Sequence, residues 1–183
     1  MTQPAAPEPD DKDWTWTLLR ACPECGFDAG AVRGQDVPGI VQEVIARFGR
    51  RLADPDAATR PQPQVWSPAE YACHIRDVCT VFDQRLHAML AEHDPLFENW
   101  DQDATALEKQ YWRQQPAAVA TEMAAAGAEI IATIRGVVDE QWMRPGRRSN
   151  GSMFTVVTLV QYLAHDLAHH AHDIGCGLRE QPR

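Results

Sequence analysis

Four stretches of the chain carry apolar residues at three- and four-residue steps, the period of an amphipathic helix. In "QDVPGIVQEVIARFGRRL", Val37, Ile40, Val41, Val44, Ile45, Phe48 and Leu52 make one stripe. Asp36 is suited to cap this helix, and Pro38 to its first turn. The proline-broken "ADPDAATRPQPQV" follows as a loop. The second helix starts cleanly in "WSPAEYACHIRDVCTVFDQRLHAML": Ser67 as N-cap, Pro68 at the first position, Glu70 closing a capping box. Tyr71, Ile75, Val78, Phe82, Leu86 and Met89 form its inner stripe, and His74, three after Tyr71 and four before Val78, shares it. A third helix begins near Pro116, with Val119, Met123, Ile130, Ile134 and Val137 inward. The fourth runs from about Thr155 to Ile174, with Gly175 suited to the position just past its end.

Between the second and third helices lies a long acidic, aromatic connection, "AEHDPLFENWDQDATALEKQYWRQQ", in which "DATALEKQYW" is the candidate short helix. Its length suggests a function beyond connection, either covering a pocket mouth with Trp100, Asp101 and Asp103 or packing for stability. Strand signal is scarce, and "DEQWMRPGRRSNGS" reads as a turn-rich loop. Four amphipathic helices of this length pack most simply as an all-α four-helix bundle, which holds metal sites inside on facing helices.

Composition narrows the classes. Apolar residues make up 44% of 183 residues and charged residues 23%, as in a globular domain. No apolar run reaches the eighteen or so residues of a membrane helix. The formal net charge of −9 repels phosphate backbones and speaks against a nucleic-acid partner. Arg144, Arg147 and Arg148 are either a solvated loop or a site for one small anion. The start, "MTQPAAPEPDDKDW", lacks the pattern of a secretory signal and is expected to be a disordered tail on a cytoplasmic protein. An odd number of cysteines, five, argues against a secreted disulfide framework.

The chemistry concentrates in "YLAHDLAHHAHDIG". Four of the seven histidines fall there. Thr158, Tyr162, His165, His169 and His172 share one stripe, His165 and His169 as an i, i+4 pair able to chelate one first-row ion; His170 is expected to point elsewhere. Alone the pair is a weak signal. With inward His74 it makes a three-histidine site, leaving open positions on Zn²⁺, Ni²⁺ or Fe²⁺ as catalytic sites do. His172 is either a second donor near the substrate or a polar residue at the helix end.

"WSPAEYACHIRDV" and "HDLAHHAHD" together resemble the DinB-like metalloenzyme superfamily, which includes YfiT-like hydrolases and mycothiol-dependent isomerases and transferases. The resemblance covers roughly residues 35–176. It implies an up-up-down-down bundle with a long crossover between helices 2 and 3, fitted here by Glu92 to Gln115. It also implies a zinc or nickel ion on His74, His165 and His169, and a homodimer. Many relatives have glutamine three residues after the last ligand, where this chain has His172.

The remaining element is "LLRACPECGFD", with Cys22 and Cys25 spaced as half a zinc ribbon but with no second CxxC. The pair is redox-active, binds zinc with ligands borrowed from elsewhere or from a second copy, or packs against the bundle. The expected organisation is a tail (1–13), the cysteine loop (14–34), the bundle (35–176) and a second tail (177–183). The expected function is transfer or isomerisation of a small-molecule substrate through a low-molecular-weight thiol at the metal, without nucleic-acid or membrane partners. Arg147, Arg148, Asp101 and His172 are the candidate catalytic residues, and Trp100 and Tyr162 the candidate cofactor contacts. A metal-dependent hydrolase and a non-catalytic metal or redox protein are the alternatives.

Overall fold

A computed structural model describes Pro4, Ala5, Pro7 and residues 13–178. Of the two expected tails, 1–13 and 177–183, only Pro4, Ala5, Pro7, Asp13, Gly177 and Leu178 are among the described residues.

The long helices are α1 (Val37–Arg51), α2 (Pro68–Ala91), α4 (Pro116–Arg135) and α5 (Val156–Asp173), with a short α3 (Gln102–Glu108) in the crossover. Helices α1 and α2 each pack on both α4 and α5, so chain neighbours sit across the diagonal of the bundle. That arrangement is an all-α four-helix bundle, but its order is up-down-down-up rather than the expected up-up-down-down. Helix α2 runs parallel to α4, Arg76 meeting Glu122 and His87 meeting Thr133, and antiparallel to α5, His74 meeting His170 and Phe82 meeting Tyr162. Helix α1 runs parallel to α5. The α2–α4 crossover must therefore travel the length of the bundle. The predicted stripes form the core: Phe48, Ile75, Leu86, Met89, Met123, Ile130, Leu159 and Leu163 are all buried.

Helix α2 starts as its sequence dictates. The Glu70 amide donates to Ser67 Oγ at 3.3 Å, and the Glu70 carboxylate accepts from the Ser67 amide at 2.9 Å. The buried Glu70 also holds the Arg60 guanidinium at 2.5 Å. A cap of this kind contributes about 1 kcal/mol and fixes where the helix begins, and so the direction in which His74 points. At α1 the expected Asp36 cap does not form. Its carboxylate accepts from Arg33 at 2.8 and 2.9 Å, and Gly34–Asp36 is a 3-10 turn. A bidentate arginine outcompetes a backbone amide for an exposed carboxylate.

Three short strands also depart from expectation: β1 (Leu96–Phe97), β2 (Pro145–Arg148) and β3 (Met153–Thr155), in the order β1-β2-β3. Strand β2 pairs parallel with β1 and antiparallel with β3. Their lengths leave no room for alternation, and Pro-Gly-Arg-Arg carries no β propensity. Gly146 is required at the centre, because a Cβ there would lie 2.7 Å from Met89 Cγ. The sheet ties the crossover to the α4–α5 connection and splits the arginine cluster. Arg144 donates to the Met89 and Glu92 carbonyls, and Arg147 pairs with Asp94 at 2.9 Å. Arg148 turns inward over Phe154 and Tyr162.

Helix α4 corrects the expectation that no segment is long enough for a membrane. By length and composition Pro116–Arg135 qualifies. Its apolar stripe, from Val119 to Ile134, packs into the bundle against α1 and α2.

The crossover is anchored by one buried carboxylate. Asp77 is 4% exposed; it accepts from Tyr111 Oη at 2.5 Å and pairs with Arg76 at 2.9 Å and Lys109 at 3.0 Å. Burial alone would raise its pKa, but these partners hold it below the usual carboxylate range. Asp77→Ala should therefore cost about 3 kcal/mol at neutral pH, read by urea denaturation, because it leaves the buried Tyr111 phenol without its acceptor and takes a carboxylate from the largely buried Arg76. A depressed folded-state pKa stabilises above the unfolded value, so the gap between wild type and variant should close as pH falls below about 4.

Candidate metal centre

Helix α5 carries two interleaved i, i+4 pairs, His165/His169 and Asp166/His170. With 3.6 residues per turn, members of a pair lie within roughly 40° of each other, and the two pairs about 100° apart. They serve different partners. His165 and His169 face the N-terminal segment, whereas Asp166 and His170 face α2.

His74, Asp166 and His170 form the first cluster, with ligand atoms within 4.8 Å of one another. Asp166 Oδ1 lies 3.5 Å from His74 Nε2 and 3.4 Å from His170 Nε2. These separations are long for hydrogen bonds. They match the edge of a tetrahedron with metal–ligand bonds near 2.1 Å, about 3.4 Å. Both ring nitrogens of His74 and Asp166 Oδ1 are buried with no hydrogen-bond partner among the described residues. His170 Nδ1 donates to Asp173 Oδ2 at 2.8 Å, which fixes the tautomer and leaves Nε2 its lone pair. Burial lowers the pKa of His74. It would raise that of Asp166, but His74 and the neighbouring imidazoles hold the carboxyl at about 2. At neutral pH His74 is thus neutral and Asp166 ionised, the protonation states that bind a cation.

His165 and His169 are thus not grouped with His74, and His170, expected to point away, packs edge-on to the His74 ring at 4.7 Å. The reason is angular. Asp166 and His170 are the pair that α5 turns toward α2, and a carboxylate on a stripe of histidines was not read as a ligand. The interleaved DxxxH and HxxxH in "HDLAHH" carried the signal. His165 and His169 group instead with Cys22 and Cys25. Burial pushes the His165 pKa down to about 4 and lowers that of His169. His172 is exposed.

A cavity of about 430 Å³ opens beside both clusters, lined by His165, Asp166, His169 and His170. That volume suits a small organic ligand. Trp14 forms one wall, its ring 4.9 Å from His169, and Trp100 another, stacked 5.4 Å from His74. Asp101, Asp103, Arg148 and Tyr162 complete the lining, and Arg147 stays outside it. Asp101 caps α3, accepting from the Ala104 amide at 2.8 Å. Burial raises the Tyr162 pKa, so its phenol stays protonated.

Fold and site together define a helical-bundle protein with a two-histidine, one-carboxylate cluster at a solvent-reachable cavity. The family model of the DinB superfamily matches residues 40–174, and the chain belongs to that superfamily. The match leaves out Cys22 and Cys25. Among solved structures the bundle is similar to YfiT from Bacillus subtilis, described as a probable metal-dependent hydrolase with an unusual four-helix bundle topology. Identity is 19%, TM-score 0.67, and the match covers 76% of this chain and 82% of that one. It is also similar to the mycothiol-dependent maleylpyruvate isomerase, at 12% identity and TM-score 0.61, over 80% of this chain and 62% of that one. This chain thus matches less than two thirds of the isomerase. No curated protein matches.

The orphaned His74 ring makes a stability prediction with a change of sign. In chelator, His74→Leu should raise stability by about 1–2 kcal/mol, because it removes a buried polar group without a partner. With zinc in hundredfold excess over its dissociation constant, the wild type should lead instead, since a ligand at that excess adds about 2.7 kcal/mol. Urea denaturation under the two conditions checks both signs.

Proposed function

We propose that the chain is a metal-dependent enzyme whose catalytic cation is held by His74, Asp166 and His170, and that it transfers or isomerises a small molecule through a low-molecular-weight thiol. One observation carries the reading: His74 Nε2 and Asp166 Oδ1 are buried without a hydrogen-bond partner among the described residues and lie 3.5 Å apart, with His170 Nε2 3.4 Å from the same carboxylate oxygen, and Asp166 and His170 line a 430 Å³ cavity. Two imidazoles and one carboxylate leave coordination positions open, the design of catalytic rather than structural zinc sites. When bound, zinc or nickel supplies a Lewis acid that lowers the pKa of a thiol or water it coordinates.

The chain's own residues do the rest. Trp14 and Trp100 hold the apolar parts of the ligand and exclude water. Arg148, the arginine at the cavity, meets a carboxylate on thiol or substrate. Tyr162 donates a hydrogen bond from its protonated phenol. Asp101, at the first turn of α3, is the candidate proton acceptor at the mouth. Likeness to a mycothiol-dependent isomerase supports the thiol reading. A hydrolase acting on water in the same position is the second reading, favoured by the carboxylates of Asp101 and Asp103 at the mouth and by likeness to YfiT.

The same reading makes the chain a cytoplasmic homodimer without nucleic-acid or membrane partners. Support comes from the −9 charge, the five free cysteines, and the buried apolar stripe of α4. For the dimer it comes from Leu96 and Met153, aligned in register through Arg147 on an exposed face of the sheet.

Cobalt substitution tests the function. Adding a low-molecular-weight thiol should produce a new sulfur-to-cobalt charge-transfer band in the difference spectrum, absent in His74→Ala. Turnover of a carboxylate-bearing electrophile should need the thiol. Arg148→Ala should raise KM about tenfold, a loss near 1.4 kcal/mol, and Arg147→Ala should leave it within about twofold. No thiol-induced band, together with ester or amide turnover without thiol, would establish the hydrolase instead.

A further inference from the structure

We infer that Cys22, Cys25, His165 and His169 form a second, closed zinc site that clamps the N-terminal segment to α5 and builds one wall of the cavity. Their ligand atoms all lie within 4.8 Å of one another. Cys22 Sγ is 3.8 Å from His169 Nδ1, already the edge of a tetrahedron around zinc, about 3.3–3.8 Å for bonds of 2.0–2.3 Å.

Three further observations point to a bound ion. Nε2 of His165 is buried without a hydrogen-bond partner among the described residues, and the residue is 3% exposed. The ring of His169 is flanked on its far side by carboxylates, Nε2 facing Glu24 Oε2 at 3.6 Å and Asp173 Oδ1 at 3.8 Å, while Nδ1 faces Cys22 Sγ. The CPEC turn is also preformed. The Gly26 amide donates to the Cys22 carbonyl at 2.8 Å, the Cys22 amide donates to the Phe27 carbonyl at 2.9 Å, and Gly26 has φ +75°. A knuckle that brings two sulfurs together needs such a turn, and CxxC with HxxxH is the ligand spacing of Cys₂His₂ zinc sites.

The two centres differ in kind. Four protein ligands leave zinc no open position, so this one is structural. Binding Zn²⁺ releases the two thiol protons, and the two thiolates cancel the ion's charge, so a neutral unit is buried. Its function is mechanical. Trp14 packs on the His165 and His169 rings at 5.6 and 4.9 Å and lines the cavity. The ion therefore holds the Trp14 wall on the same helix that offers Asp166 and His170 to the catalytic centre. The family match covers residues 40–174, so the cysteine half of the clamp lies outside it and the histidine half within.

The test uses full-length untagged protein purified under reducing conditions. Metal analysis should find about two zinc ions per chain in the wild type and about one in Cys25→Ser and in His74→Ala. Cobalt-loaded wild type, dialysed free of small thiols, should show thiolate-to-cobalt charge-transfer bands that survive His74→Ala. Wild-type protein without such bands, bands lost with His74→Ala, or Cys22 and Cys25 recovered as a disulfide from reduced preparations would overturn the proposal. The wild-type spectrum decides even if Cys25→Ser fails to fold. Bands intact with full zinc retained in His74→Ala would instead overturn only the catalytic-centre reading.

Discussion

Burying imidazoles and a carboxylate along the last turns of a core helix is the constraint on which this structure depends. Unpartnered polar groups cost roughly 1–3 kcal/mol each in such a place. Helix α5 carries His165, Asp166, His169 and His170 there, and His74 joins them from α2. Among the described residues, Asp173 accepts from His170, and Glu24 and Asp173 stand at ion-pair distance from His169, as Asp166 does from His74 and His170. The atoms left over fall into two groups, each with the composition of a ligand set. The proposed cations would offset that cost.

The rest of the molecule sets the walls around those groups. The Asp77 network ties Tyr111 and Lys109 to α2. Arg85, buried between Phe82 and Phe97, donates to the Glu98 carbonyl at 3.1 Å. The small sheet joins the crossover to the loop before α5. These contacts bring Trp100 flat against His74 and turn Arg148 inward. From the other side, the N-terminal segment supplies Trp14. The cavity is thus closed by two segments distant in sequence, and neither belongs to the four-helix core.

Much of this was legible beforehand. The bundle followed from helical periodicity, the start of α2 from its Ser-Pro-Ala-Glu cap, the inward position of His74 from its neighbours Tyr71 and Val78, and the crossover from its length. Asp36 was misread because a nearby arginine competes for a carboxylate as well as a helix terminus does. The sheet was missed because strands of two to four residues have no period. On α5 the pair that meets His74 is Asp166 and His170, one step around the helix from the expected His165 and His169.

That last shift separates what the sequence by itself determined from what tertiary structure decided. Spacing alone determined that α5 bears adjacent stripes of potential ligands and that CPEC has the spacing of half a zinc ribbon. Which stripe meets His74 depends on the rotation of α5 about its axis. That rotation is set by how Leu159, Leu163 and Leu167 seat in the core, and a rotation of about 100° exchanges one pair for the other. Which residues stand beside the knuckle depends on the N-terminal segment folding back across 147 positions to α5. Local periodicity cannot express either fact, because both are relations between elements rather than properties of one.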